Sequence, residues 1–227
     1  MKTTILAIFA AALMSIGLLA AAIYLPATSS WVMRPLMEHF APPEDTHLPA
    51  EEYAPVVDMI TSYLKGGNDA FQHLYTVNGT EYAAFNQKEQ QHMADVQGLF
   101  RLCRTVMFCS LGVTVFLFFV LAYKKSTAFR HIQATLLIEI ILILIIVTQT
   151  IMMKSFDDLF FRFHEVAFTN DLWLLNPQTD LLIRLMPIEF LISYAAIIGG
   201  LWLAGMIGLL IFSTMIIRKP MKGSDFP

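Results

Sequence analysis

The chain has 227 residues, of which 56% are hydrophobic and only 15% charged, with a net charge of −3. A soluble domain is about a quarter charged, and here the apolar residues gather into long blocks, so the composition indicates membrane spans and not one large soluble core. The charge gives no basic patch for nucleic acid, and two cysteines are too few for a disulfide scaffold or a cysteine zinc site.

About 20 apolar residues cross a bilayer as a helix. The first such segment runs from Thr4 to Tyr24. Its apolar run exceeds that of a typical signal peptide and its charged leader is only Lys2, so residues 1–24 read as a retained transmembrane helix. Residues 25–104 form a domain between spans. In it, Ala50 to Leu64 reads as an amphipathic helix, with Pro49 near its start, Tyr53, Val56, Val57, Ile60, Tyr63 and Leu64 on one face, and Gly66-Gly67 at its end. Phe71 to Val77 and Glu81 to Phe85 flank Asn78-Gly79, a dipeptide that favours a two-residue hairpin turn. From Gln87 the pattern is helical and leads into a second span, residues 105–123. Cys103 and Cys109 fall on opposing sides of this helix, which disfavours a mutual disulfide.

A short loop, 124–131, precedes a third span, 132–153. Residues 154–193 are too aromatic for a plain connector. Phe156, Phe160 and Phe163 recur on one helical face, which suggests an interfacial or re-entrant helix with its aromatic residues at headgroup level. Asn176-Pro177 breaks it, Thr179 is placed to cap a short helix through Leu185, and Pro187 precedes a fourth span, 194–217, with a tail at 218–227. The expected fold is an all-α membrane protein of four transmembrane helices with a small, mainly helical extracytoplasmic domain and one β-hairpin.

Orientation follows from the basic residues. Lys2, the loop residues Lys124, Lys125 and Arg130, and the tail residues Arg218, Lys219 and Lys222 put both termini and the short loop in the cytoplasm. Residues 25–104, with ten acids against five bases, and residues 154–193 are then outside.

Two histidines lie near predicted span ends on separate outer segments. His92 stands in Glu89-Gln90-Gln91-His92-Met93-Ala94-Asp95-Val96, where Glu89 and Asp95 are each three residues away and either is placed to orient the ring. His164 stands in Phe163-His164-Glu165, ahead of Asn170-Asp171-Leu172-Trp173. A histidine can take a proton in one step and return it in the next; a headgroup-contacting surface residue is the plainer reading of each. No Gly-x-Ser-x-Gly elbow supports a serine nucleophile, and no His-x-x-x-His or Cys-x-x-Cys pair suggests a metal or other cofactor. His39, His47 and His73 read as surface or packing residues. Glu139, inside the third span, is costly in lipid unless it faces the bundle, either as a proton or substrate contact or as a neutral acid hydrogen-bonded to another helix. Gly199, Gly200, Gly205 and Gly208 read as sites of close helix packing.

The two histidine segments together resemble the bacterial lipoprotein intramolecular transacylases. The likeness covers most of the chain and is sharpest at Glu89-x-x-His92-Met93-x-Asp95-Val96 and from Phe163-His164-Glu165 through Asn170-Asp171-Leu172-Trp173 to Thr179-Asp180-Leu181-Leu182-Ile183. The run Met186-Pro187-Ile188-Glu189-Phe190-Leu191 departs from it by being less acidic and aromatic. The resemblance implies an enzyme of the bacterial plasma membrane, acting on diacylated lipoproteins among membrane lipids, with its active site on the extracytoplasmic face. It would move the sn-2 acyl chain of the lipidated cysteine to that cysteine's own α-amine, giving the lyso-form. His92 and His164 would be catalytic, with Glu89, Asp95, Glu165, Asn170 and Trp173 in supporting or positioning roles. Three alternatives stand beside it: another membrane lipid hydrolase or acyltransferase, a non-enzymatic accessory protein that shields a lipidated partner, and a transporter, to which four spans with one intramembrane acid give little support. The oligomeric state is not legible.

Overall fold

The computed structural model describes residues 2–67, 70–123, 127–152 and 156–218. Among these the chain is mostly helical, in the order α1 (Lys2–Ala27), α2 (Ser30–Phe40), α3 (Pro43–Thr46), α4 (Ala50–Lys65), β1 (Leu74–Val77), β2 (Thr80–Ala83), α5 (Gln87–Tyr123), α6 (Thr127–Met152), α7 (Phe156–Ala167), α8 (Leu181–Leu185) and α9 (Ile188–Arg218). Among the described residues three helices are long and apolar enough to cross a membrane: Lys2–Ala27, Gln87–Leu121 and Ile188–Met215. They coincide with the first, second and fourth expected spans. Helix α6 stands in the place of the third, and the side chains of residues 145–152 lie outside the described residues. So do Lys124, Lys125, Lys154, Lys219 and Lys222.

The chain divides into two compact units. One takes in Met1–Ala21, Thr105–Lys154 and Gly199–Pro227. Small residues let its helices approach closely: Ala7, Ala10 and Ala11 are buried with Leu117, Leu121, Phe129, Ile132, Leu136 and Met206. A Cβ on Gly17 would lie 2.8 Å from Leu111 Cδ2, and one on Gly205 would lie 3.2 Å from Leu18. Gly205 therefore packs as expected, whereas Gly199, Gly200 and Gly208 have nothing within 4 Å of that position. Polar side chains add ties between helices. Trp202 Nε1 donates to the Ser15 carbonyl at 3.0 Å, and Gln133 Nε2 donates to Thr214 Oγ1 at 2.7 Å. Glu139 hydrogen-bonds the Ser15 side chain, so it faces α1, as the expense of an acid in lipid requires.

The other unit takes in Ala22–Arg104 and Ser155–Ile198. Its core joins Met33 and Met37 of α2, the apolar face of α4, Phe71, Phe85 and Met93, and Leu181, Leu182, Leu185 and Phe190. All six residues of the expected α4 face are buried, joined by Thr61, and Gly66 closes the helix at φ 91°, a left-handed conformation that favours glycine. The hairpin forms with Asn78 and Gly79 at φ 51° and 79° and Val77 paired with Thr80, the two-residue turn that the dipeptide favours. Its strands are shorter than expected. Phe71 leaves the ladder to pack its ring 4.5 Å from Phe85 and 5.1 Å from Tyr63, and the Gln72 side chain bonds both backbone groups of Phe85.

Three boundaries differ from expectation for local reasons. Helix α2 was not foreseen, because Pro35 interrupts its sequence pattern while Met33 and Met37 still bury one face. Helix α9 starts at Ile188, six residues before Tyr194, with the Pro187 carbonyl accepting the Leu191 N–H at 3.2 Å. Helix α8 is preceded by Asp180 and not by Thr179. Helix α5 runs unbroken for 37 residues through Gly98.

Candidate active site

The start of α5 is built around Asn86 and Glu89. Asn86 Oδ1 accepts the Glu89 N–H at 3.0 Å, and Glu89 Oε2 accepts the Asn86 N–H at 2.8 Å, a reciprocal capping box. The other carboxyl oxygen of Glu89 accepts the Leu182 N–H at 2.7 Å, so the same side chain also closes the first turn of α8. Glu89 is 1% exposed. Burial raises its pKa, against the opposing pull of the two N–H bonds. The expectation that it orients the His92 ring is not met, because both oxygens are occupied by backbone donors. Asn86 Nδ2 donates to Asp180 Oδ1 at 2.8 Å, and Asp180 Oδ2 accepts the Asn176 N–H at 2.7 Å. Burial pushes the Asp180 carboxyl up, but hydrogen bonds from Asn176, Thr179 and Asn86 outweigh it and hold the group below the usual range.

One turn into α5, His92 is buried with its ring edge-on to Phe168 at 5.2 Å. Its Nδ1 is buried without a hydrogen-bond partner. Burial, followed by the like charge that His164 would carry, pulls the imidazole down to about 4, with Asp95 opposing. His92 is therefore neutral near pH 7.

His164 lies on α7, and its ring centroid is 6.3 Å from that of His92. Its Nδ1 is 2.7 Å from the Phe160 carbonyl oxygen. A carbonyl only accepts, so Nδ1 carries the proton and Nε2 of the neutral ring keeps its lone pair. Phe160, Trp173, Phe163 and Phe168 surround the ring at 4.0, 4.9, 5.2 and 5.5 Å. Burial lowers the His164 pKa against the Phe160 bond, which raises it.

The expected supporting residues divide. Asn170 Nδ2 donates to Asp95 Oδ2 at 2.9 Å while Asn170 Oδ1 accepts the Leu172 N–H at 3.1 Å, so this pair fixes the 168–175 segment against α5. Asp95 acts on His92 through its charge and not through a bond to the ring. Trp173 is buried between His164 and Phe161. Lys88 Nζ donates to the Leu174 carbonyl, a second tie to the same segment. Glu165 is exposed and is not brought to the pair. His73 pairs with Glu52 at 2.7 Å, His39 packs edge-on against Phe40, and His47 ends α3 at φ 61°, all roles of surface and packing residues.

A cavity of about 330 Å³ opens at the two histidines. Apolar side chains of α5, α7, α8 and α9, among them Val96, Phe161, Ile183 and Leu191, make most of its wall, with Met186 between α8 and α9. His92, His164, Trp173 and Tyr194 are its polar residues, and the Tyr194 hydroxyl is engaged with the Ile23 carbonyl at 2.7 Å. Glu189 is exposed and is not part of the wall. A mostly apolar cavity offering two neutral imidazoles suits a hydrocarbon-bearing substrate and proton transfer at one polar spot. The sequence reading missed Asn86 and Asp180. Asn86-x-x-Glu89 is itself a capping-box pattern and was readable as one; nothing local marks Asp180 as buried.

A family profile described as lipoprotein intramolecular transacylase Lit matches residues 8–191. Among solved structures, the chain is similar to the membrane-integral lipoprotein intramolecular transacylase Lit from Bacillus cereus, at 20% identity and a TM-score of 0.78, with 96% of each chain covered. Two variants of that protein, each with one histidine replaced, also match. The arginine variant gives a TM-score of 0.72 at 21% identity, covering 96% of this chain and 91% of that one. The alanine variant gives 0.74 at 20% identity, covering 96% and 94%. A search of curated protein sequences gives no match.

Proposed function

The chain belongs to the lipoprotein intramolecular transacylase family, and on that premise we propose that it moves the sn-2 acyl chain of a diacylglyceryl-cysteine lipoprotein to the α-amine of the same cysteine. Family membership makes it a membrane acyltransferase of lipoproteins. One observation supports acyl transfer by proton exchange at this site: two imidazoles with lowered pKa values share one apolar cavity, with the tautomer of His164 set by Phe160.

The chemistry needs little more. An α-amine has a pKa near ~8 and must be neutral to attack. As its nitrogen bonds to the sn-2 ester carbonyl carbon, Nε2 of His164 takes the proton the amine loses. His92, neutral, stabilises the tetrahedral oxyanion through its ring N–H or relays to the departing glycerol oxygen the proton that His164 has taken. The C–O ester bond breaks, the proton passes to that oxygen as a hydroxyl, and the site returns to its starting charge. Because amine and ester belong to one molecule, counting atoms from N through Cα, Cβ, S, two glycerol carbons and the ester oxygen to the carbonyl carbon gives an eight-membered cyclic transition state. No acyl-enzyme is required, and proximity supplies much of the rate. Asp95, Asn170 and Trp173 position the histidine-bearing segments. The protein spans the membrane four times, with α6 as the third span, and works on the extracytoplasmic face.

Mass spectrometry of lipoprotein N-terminal peptides, from bacterial cells with and without the protein, tests this reading. An N-acyl, S-monoacylglyceryl cysteine appearing only with the protein supports it. Free fatty acid release supports a hydrolase instead, and unchanged diacylglyceryl cysteine supports a non-enzymatic accessory role.

A further inference from the structure

Helix α7 presents three kinds of surface. At about 100° per residue, Phe156, Phe160, His164 and Ala167 share one face, which is half-buried or buried and turns Phe160 and His164 to the cavity. Asp158, Arg162 and Glu165 share a second face, which is exposed. Along one flank between them run Leu159, Phe163 and Val166, which are 50%, 55% and 89% exposed. Their spacing of four and three residues makes one continuous stripe. The sequence pattern had grouped Phe163 with Phe156 and Phe160. The structure distinguishes it: Phe160 packs over His164 at 4.0 Å, whereas Phe163 meets the same ring only edge-on at 5.2 Å and leaves half its surface exposed alongside Leu159 and Val166.

A bare apolar stripe beside a charged one is costly in water and ordinary in the plane of a membrane interface. There the apolar flank enters the acyl layer and the charged face stays with the headgroups. The chain is membrane-integral by family and fold, and only residues 153–155 separate α6 from α7, which ties α7 closely in sequence to an expected span. The charged residues immediately alongside the stripe argue against a dry protein partner, which would have to desolvate them. We propose that α7 lies in the bilayer interface with Leu159, Phe163 and Val166 among the acyl chains. It thereby holds His164, the next residue after Phe163, at the depth of a lipid's glyceryl ester. The site of contact rests on geometry alone; the link to the ester rests on the transacylase reading.

The test is a collision measurement on the full chain in phospholipid vesicles. In a background with Cys103→Ser and Cys109→Ser, single cysteines at Leu159, Phe163 and Val166, and at Asp158 and Glu165 for comparison, carry a nitroxide label. Labels on the stripe are expected to relax chiefly by collision with dissolved oxygen, and those at Asp158 and Glu165 with an aqueous nickel chelate. Equal access of the chelate to all five would overturn the proposal, and so would protection of the stripe from both reagents, which indicates a protein partner. A second arm compares rates. Val166→Asp is expected to lower the ratio of turnover in vesicles to turnover in detergent micelles several-fold, and an unchanged ratio counts against the role in placing His164. The collision arm uses no turnover, so its failure and the failure of the transacylase reading are told apart.

Discussion

Glu89 accepts the backbone N–H of Leu182, 93 positions away in the chain, at 2.7 Å while its other oxygen caps α5 through Asn86. One buried carboxylate thus holds the helix carrying His92 to α8, whose Leu182 and Ile183 line the cavity. Glu89→Gln presents an amide donor to one of two N–H groups and should cost about 1–3 kcal/mol, the usual penalty for an unsatisfied buried group. Glu89→Ala removes both acceptors and should cost more. Thermal unfolding of the purified variants measures this. A Glu89→Ala protein as stable as the parent would show that the double cap contributes nothing.

The ionisation of the pair gives a pH prediction with a definite sign. His92 has a pKa of about 4 in the folded chain against an ordinary 6.5. Below pH 6.5 the unfolded chain binds a proton that the folded His92 refuses. Its contribution to stability is therefore complete above pH 6.5 and is lost as pH falls from there toward 4. The fall in melting temperature over that window should be smaller in His92→Asn. Carbon-13 NMR of Cε1-labelled histidine should show both His92 and His164 neutral at pH 7. A His92 that titrates at or above 6.5 contradicts its burial as described.

Substitution separates catalysis from folding. His92→Asn and His164→Asn should insert and bind lipoprotein, yet lose lyso-form production by roughly 10²–10⁴-fold, the usual worth of a general acid or base. The double variant should be little worse than the weaker single, since groups acting as a unit are not additive. His39→Asn, His47→Asn and His73→Asn should stay active. Near-full turnover in either motif variant, at equal expression, removes that histidine from the proton-transfer scheme.

The proposed orientation is tested by chemistry at single sites. With Cys103 and Cys109 removed, cysteines at Asn78 and Asp171 should react with an impermeant thiol reagent in intact cells, and one at Ser126 should not. Labelling at Ser126 reverses the topology and moves the site to the other face.

Much of the fold was legible because its signals are local and periodic. The buried face of α4, Gly66 at its end, and the Asn78-Gly79 turn each follow from the nearest few residues. The two histidines were legible by motif, but their meeting at 6.3 Å was not, because it depends on contacts between segments some 70 residues apart. Glu89 shows the same limit in reverse. Its three-residue spacing to His92 suggested a partner for the ring, whereas burial without water makes backbone N–H groups at two helix starts the more demanding partners. In α7 the 3.6-residue period predicted a helix, but which apolar residues turn inward depended on where the cavity lies.

The central claim is that one lipidated cysteine supplies both the chain and the amine. It is tested most directly with purified protein in vesicles and a synthetic diacylglyceryl-cysteine lipopeptide carrying a deuterated chain at sn-2 only. This is mixed with an unlabelled lipopeptide of different peptide sequence. Because the transfer conserves mass, fragment spectra of the N-terminal residue give the answer. The account predicts the deuterated chain on the amine of its own peptide and none on the other. Deuterium on the second peptide, an unlabelled sn-1 chain on the amine of the labelled peptide, or free deuterated fatty acid without N-acylation would contradict it.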